Sequence, residues 1–131
     1  MRKLLAVLMG VILCGCSSQK NFQEAERATD DFHMQMAKRN YGGIYDAAGP
    51  AIRNTASRDQ FVSMLQALDH RVGTCGAPDR KSFNVNYNTG GAFVVMVYSR
   101  KCANSSLEER FDWRIEGGRA SLHGYHYRSG V

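Results

Sequence analysis

Apolar residues in this chain change their period part-way along, and that change limits the folds open to it. From Phe22 to Leu68 they recur every three or four residues, the spacing of a helical face. From Phe83 onward they alternate, the spacing of a half-buried strand. Phe22, Ala25, Ala28, Phe32 and Met36 mark a first helix, opened by a capping-box variant at Asn21-x-x-Glu24 and stopped by Asn40-Tyr41-Gly42-Gly43. Ile44, Tyr45, Ala47 and Ala48 predict a short second helix that Gly49-Pro50 halts. Ser57-Arg58-Asp59-Gln60 is a full capping box for a third helix. Phe61, Met64, Leu65 and Leu68 form its apolar stripe, and Gly73 lies just past its end.

Four strands are expected after Gly73. Phe83, Val85 and Tyr87 alternate with Asn84, Asn86 and Asn88, and Asn88-Thr89-Gly90-Gly91 supplies a turn. Ala92 to Tyr98 is apolar almost throughout, as in a central strand covered on both faces. Phe111, Trp113 and Ile115 alternate with Arg110, Asp112 and Arg114. Glu116-Gly117-Gly118-Arg119 then forms a tight hairpin into a last strand, Arg119 to Arg128. A chain of 131 residues has room for one domain. The expected class is α+β: three N-terminal helices packed on a curved four-stranded antiparallel sheet, a single domain over residues 21–131.

The N-terminus obeys a different rule. Arg2 and Lys3 precede an apolar run from Leu4 to Leu13, roughly 15 Å of helix, whereas a membrane span needs about 20 residues. Such a run is the layout of an export leader. Leu13-Cys14-Gly15-Cys16 then resembles the bacterial lipobox. The resemblance implies cleavage before Cys16, diacylglycerol on its thiol and a third acyl chain, such as palmitate, on its amine. Residues 1–15 are thus expected to be a lipoprotein signal peptide. Residues 16–20 are expected to be a lipidated N-terminus and short linker, at most roughly 18 Å long. Leu13 is too large to precede a cleavage site at Cys14. Ser17 after Cys16 implies, by the same resemblance, the outer membrane and a domain facing the periplasm.

Without the leader the chain keeps 15 basic and 12 acidic side chains, spread without a basic run. That excludes the charged stripe a nucleic-acid partner needs, although Lys20 and Arg27 lie near the expected lipid. Cys75 and Cys102 remain, and a lone pair in an oxidising compartment reads as a disulfide. Zinc and redox sites are the alternatives, but the pair lacks the C-x-x-C or C-x-x-H spacing of either.

A long helix, Asn40-Tyr41-Gly42-Gly43-Ile44-Tyr45, a capped helix with Phe61 and Leu65, and strands ending in Trp113…Gly124-Tyr125 together resemble the nuclear-transport-factor-2-like superfamily over residues 21–128. The closer similarity is to small domains of exported bacterial proteins. This resemblance implies a helix-and-sheet cone and a protein partner or homodimer through the sheet face. In the superfamily's enzymes it also implies an Asp or His base paired with a Tyr or Asp donor. Candidate bases are Asp30, Asp31, Asp46, Asp69 and Asp112; candidate donors are Tyr41, Tyr45, Tyr87, Tyr98, Tyr125 and Tyr127. None falls in a motif that maps onto such an enzyme.

Two further constellations are weighed. His123 and His126, three apart on a strand, are expected on opposite faces and so unable to share a metal. Asp30 and His33 share a helical face without a third ligand. No metal and no cofactor is expected. His123, Tyr125 and Tyr127 are expected in a row on one strand face, a candidate surface for a ligand or partner. The chain has no Gly-x-Ser-x-Gly, phosphate loop or dinucleotide fingerprint. The expectation is therefore a membrane-anchored, non-catalytic binding or protein-interaction module of the cell envelope. The alternatives are a small pocket enzyme of isomerase or hydratase type, and an envelope protein contacting anionic lipid or cell wall.

Overall fold

A computed structural model describes residues 14–130. Residues 1–13 of the leader expected over residues 1–15, and the side chains of Cys14 and Cys16, lie outside the described part. Among the described residues four helices precede four strands: α1 Cys14–Ala37, α2 Tyr41–Ala47, α3 Pro50–Thr55, α4 Arg58–Val72, β1 Asp79–Asn88, β2 Gly91–Lys101, β3 Ser106–Glu116 and β4 Arg119–Ser129. The strands form one antiparallel sheet in the order β1-β2-β3-β4. The α+β class and the antiparallel meander agree with the sequence pattern.

The helix boundaries depart from it in three places. α1 is already helical at Cys14, so residues 16–20 are helix rather than linker. Asn21 and Glu24 therefore lie inside α1, and Glu24 turns its carboxylate to Arg27 at 2.6 Å. Asn40-Tyr41-Gly42-Gly43 is a start as much as a stop. α1 ends in a left-handed residue, Arg39 (φ 58°), with Asn40 N bonded back to Gln35 O at 2.8 Å and Arg39 N to Met36 O at 2.9 Å. Asn40 Oδ1 then caps α2 by accepting from Gly43 N at 3.2 Å. Lastly, Pro50 opens a fourth helix, α3, because a proline at the first helical position gives up no hydrogen bond. The capping box at Ser57 stands as expected: Ser57 Oγ accepts from Gln60 N at 3.2 Å, and Ser57 N donates to Gln60 Oε1 at 2.9 Å.

One core lies between the helices and one face of the sheet. Ala25 and Phe32 of α1, Ile52 of α3, and Leu65 and Leu68 of α4 meet Met96, Phe111, Trp113 and Leu122 from the strands. Each such large apolar side chain contributes about 1.5–3 kcal/mol by leaving water. α1 lies on the sheet and α3 on β4, while α4 takes its main packing from α2. Helices cover a single face, so β2 alternates buried and half-buried residues rather than being buried on both sides. Phe93, Val95 and Val97 occupy its outer face. β1 is an edge strand that the helices barely reach, and Phe83 and Tyr87 stay 53% and 57% exposed.

The Cys75–Cys102 disulfide is formed and ties the segment before β1 to the β2–β3 turn. Gly76 N donates to Lys101 O at 2.8 Å and Ala103 N to Thr74 O at 2.8 Å alongside it. At the other end of the sheet, Gly117 and Gly118 both have positive φ (56° and 75°), which a two-residue hairpin turn of this hand requires.

Candidate functional site

β3 carries Leu107, Glu109, Phe111, Trp113 and Ile115 on its helix-facing side. A glutamate is thus placed among aromatic and aliphatic side chains, and its side chain is 2% exposed. Burying a carboxyl group is costly unless its oxygens find partners. Both do. The Tyr125 hydroxyl, from the same face of β4 but diagonal to Glu109 (Tyr125 pairs with Phe111), donates to Oε2 at 2.6 Å. His33 of α1, with a side chain 9% exposed, brings Nε2 within 2.8 Å of Oε1. Tyr98, Phe32 and Phe111 stack edge-on round the imidazole at 5.4–5.9 Å. His33 Nδ1 is buried with no hydrogen-bond partner among the described residues.

This cluster is not sealed. His33 and Glu109 line an open cleft of about 200 Å³ whose wall includes Asp69, Thr74, Cys75 and Arg100. A neighbouring cleft of about 410 Å³ shares Arg39, Asp69, Gly73 and Thr74 with it, and adds Tyr41 and His70. Tyr41 Oη donates to Asp69 Oδ2 across this shared wall. Arg39 stands where helices usually end in glycine. Its left-handed backbone is strained for a side chain, and that side chain lines both clefts. A third cleft of about 480 Å³ lies between α1, α2 and β4, edged by Arg27, Asp31, Arg53 and Arg119.

The sequence candidates are scattered. Asp30 and Asp31 are exposed on α1, and Asp46 is exposed and held by Arg58 at 2.9 Å, which draws its carboxyl below the usual range. Asp112 faces away from the core, 3.0 Å from Arg110. Tyr45 donates to Ala56 O at 2.8 Å, Tyr98 is buried, and Tyr87 is exposed beside α1. None of the five aspartates meets His33, whose partner Glu109 was not among the candidates.

The row His123, Tyr125, Tyr127 is broken. A bulge in β4 pairs Trp113 with Leu122 but Asp112 with Gly124, leaving His123 as the extra residue. Tyr125 and Tyr127 stay on the helix-facing side, their rings 5.8 Å apart. His123 goes to the outer face, its ring 5.1 Å from Phe93. The same bulge puts His123 and His126 on one face rather than on opposite ones. Even so, among the described residues no group of three His, Cys, Asp or Glu is placed to hold a metal ion. Gly124 is what fits here, since a Cβ would come within 2.9 Å of Asp112 Oδ2.

Three buried tyrosines resist ionisation, Tyr98 chiefly through burial. Burial, reinforced by Asp69, pushes Tyr41 up to about 12, and burial with the Glu109 carboxyl raises Tyr125 well above the ordinary tyrosine value. The native state therefore favours the neutral hydroxyls. Their stabilisation is fully present below about pH 10, where unfolded tyrosine ionises, and is lost as pH rises through the higher native values. Urea unfolding should give constant stability from neutrality to about pH 10 and a steady fall above it. Tyr41→Phe should flatten that fall. An unchanged slope in the variant would show Tyr41 titrating normally.

Comparisons with protein-family models, curated proteins and solved structures find no match to this chain. Among the described residues no helix is long and apolar enough to cross a membrane.

Proposed function

We propose that this chain is a lipoprotein of the bacterial cell envelope, acylated on Cys16 and facing the periplasm from the outer membrane. Its domain, of nuclear-transport-factor-2-like build, acts as a non-catalytic binding module. The cleft over His33 and Glu109 is its binding site. What carries the reading is one arrangement: a buried carboxyl group clamped by Tyr125 and His33 beneath an open cleft, with His33 Nδ1 left without a partner. Holding a carboxyl group there costs stability that an apolar side chain would not. Its fixed hydrogen bonds orient the imidazole, which can exchange one hydrogen bond with an incoming group. A cleft of about 200 Å³ is smaller than the roughly 300–1,000 Å³ of sites that swallow whole small molecules. It suits a polar group or chain end of a larger partner.

A pocket enzyme of isomerase or hydratase type draws on the same Glu109–Tyr125 contact. Phe32, Phe111 and Trp113, however, fill the space that such an enzyme would close round its substrate. The test is an NMR titration of the full chain with acetate, acetamide and methylammonium at millimolar levels, followed at the histidine ring nitrogens. A saturable shift at His33, absent from His123 and His126, is expected for one of the three. Silence at His33 toward all of them overturns the cleft as a binding site.

A further inference from the structure

α1 runs unbroken from Cys14 into the core, so no slack separates position 16 from the domain. Two residues beyond it, Ser18 Oγ lies 2.7 Å from Tyr87 Oη, and Asn21 Nδ2 reaches the same oxygen at 3.5 Å. Tyr87 sits beside the β1–β2 turn, where Asn88 pairs with Gly91. Ala92 pairs with Ile115 and Glu116 with Arg119, which puts the β3–β4 turn at this same end of the sheet. His33 is 17 residues along α1 from position 16, about 25 Å at 1.5 Å per residue. The His33–Glu109 cleft and the disulfide in its wall therefore stand at the far end of the molecule.

We infer that the two hairpin turns, Asn88–Gly91 and Glu116–Arg119, together with the first turns of α1, form the surface that rests on an anionic bilayer. The cleft then points away from that bilayer. This deepens the proposed function and rests on acylation of Cys16. The chemistry of the hairpin end fits a phospholipid head-group layer. Glu24 is held by Arg27 at 2.6 Å, with the charge of exposed Arg119 also acting on it, and Glu116 is held by Arg114 at 2.9 Å, while exposed Lys20 is in no ion pair among the described residues, so this end carries more positive than negative charge. Tyr87 offers an amphipathic ring, and Gly117 and Gly118 keep the second turn free of side chains.

The far end is the competitor, since Lys38, Arg39, Arg71 and Lys101 are exposed there. Each such charge adds a modest attraction to an anionic surface. Burial of an acyl chain adds up over every methylene, so a single long chain outweighs that attraction. With α1 helical to its start, the tether sets the orientation.

The test places the acylated full chain in nanodiscs containing phosphatidylglycerol and a lipid spin-labelled at its head group. Backbone amides at Thr89, Gly90, Gly117 and Gly118 should lose most of their NMR intensity, while those at Thr74, Gly76 and Asn104 keep theirs. The mass of the same sample reads the modification. An acylated chain with the reverse or a uniform pattern overturns the orientation alone. A chain without acyl groups overturns the anchor, and the orientation with it.

Discussion

Replacing Glu109 by alanine is expected to remove about 3–5 kcal/mol of folding stability, the largest single-residue loss outside the aromatic core. The change strips the Tyr125 hydroxyl and His33 Nε2 of a shared partner that is itself only 2% exposed, and leaves a void beneath the cleft. Glu109→Gln keeps the shape and one acceptor oxygen, and should lose less, about 1–2 kcal/mol. The informative variant is the double one, Glu109→Met with Tyr125→Phe, which removes the carboxyl and the hydroxyl at nearly constant volume and leaves only His33 Nε2 to find a new partner. Buried polar clusters replaced whole by apolar side chains often end neutral or more stable by about 1–4 kcal/mol, and the remaining imidazole offsets part of that gain here. Urea denaturation of the three proteins would decide. A double variant as stable as the parent, yet without any His33 response to small polar probes, separates the cluster's use from its contribution to folding. A double variant as damaged as Glu109→Ala would make the cluster purely structural, and the binding reading would lose its main support.

Glu109 was legible in the sequence, though only by phase. Counting by two from Leu107 through Phe111, Trp113 and Ile115 lands on it, so the alternation that identified β3 also placed a carboxyl group on the apolar side. A search confined to aspartates and to local spacing passed over it. His33 could be paired locally only with Asp30, whereas its real partner lies 76 positions away and depends on how α1 crosses the sheet. The β4 bulge is the opposite case. Nothing in Leu122-His123-Gly124-Tyr125 fixes where an extra residue enters, because register is settled by Leu122 and Tyr125 both seeking the core. Helix starts failed for a similar reason. Asn21-x-x-Glu24 and Gly49-Pro50 carry real end signals, but whether a helix begins or continues there is decided by packing, and Phe22 against Phe83 at 4.6 Å rewards continuation. The class of fold survived these errors because period, unlike boundary, is averaged over many residues.

Removing the disulfide, as Cys75→Ser with Cys102→Ser, should lower stability by about 3–4 kcal/mol on loop entropy alone, roughly 10–20 °C in Tm for a domain of this size. The bridge closes a loop of 27 residues that contains β1 and β2, and β1 is the exposed edge with the least packing of its own. Local consequences should exceed the global one. Thr74, Cys75 and Gly76 are pinned to the end of β2 by the bridge, the two backbone hydrogen bonds beside it and Arg100 Nε, which donates to Gly76 O at 3.0 Å. That segment is also the wall of the His33–Glu109 cleft. Hydrogen exchange on the variant should therefore show Gly76 and Ala103 amides opening more readily than the β3 amides that report global unfolding. A stability loss below about 1 kcal/mol, with Gly76 still protected, would mean that the backbone bonds hold this wall unaided. If the loss is as large as expected and the wall opens, an oxidising compartment is a condition for the cleft as well as for the fold, because the bond that closes the loop also shapes the site.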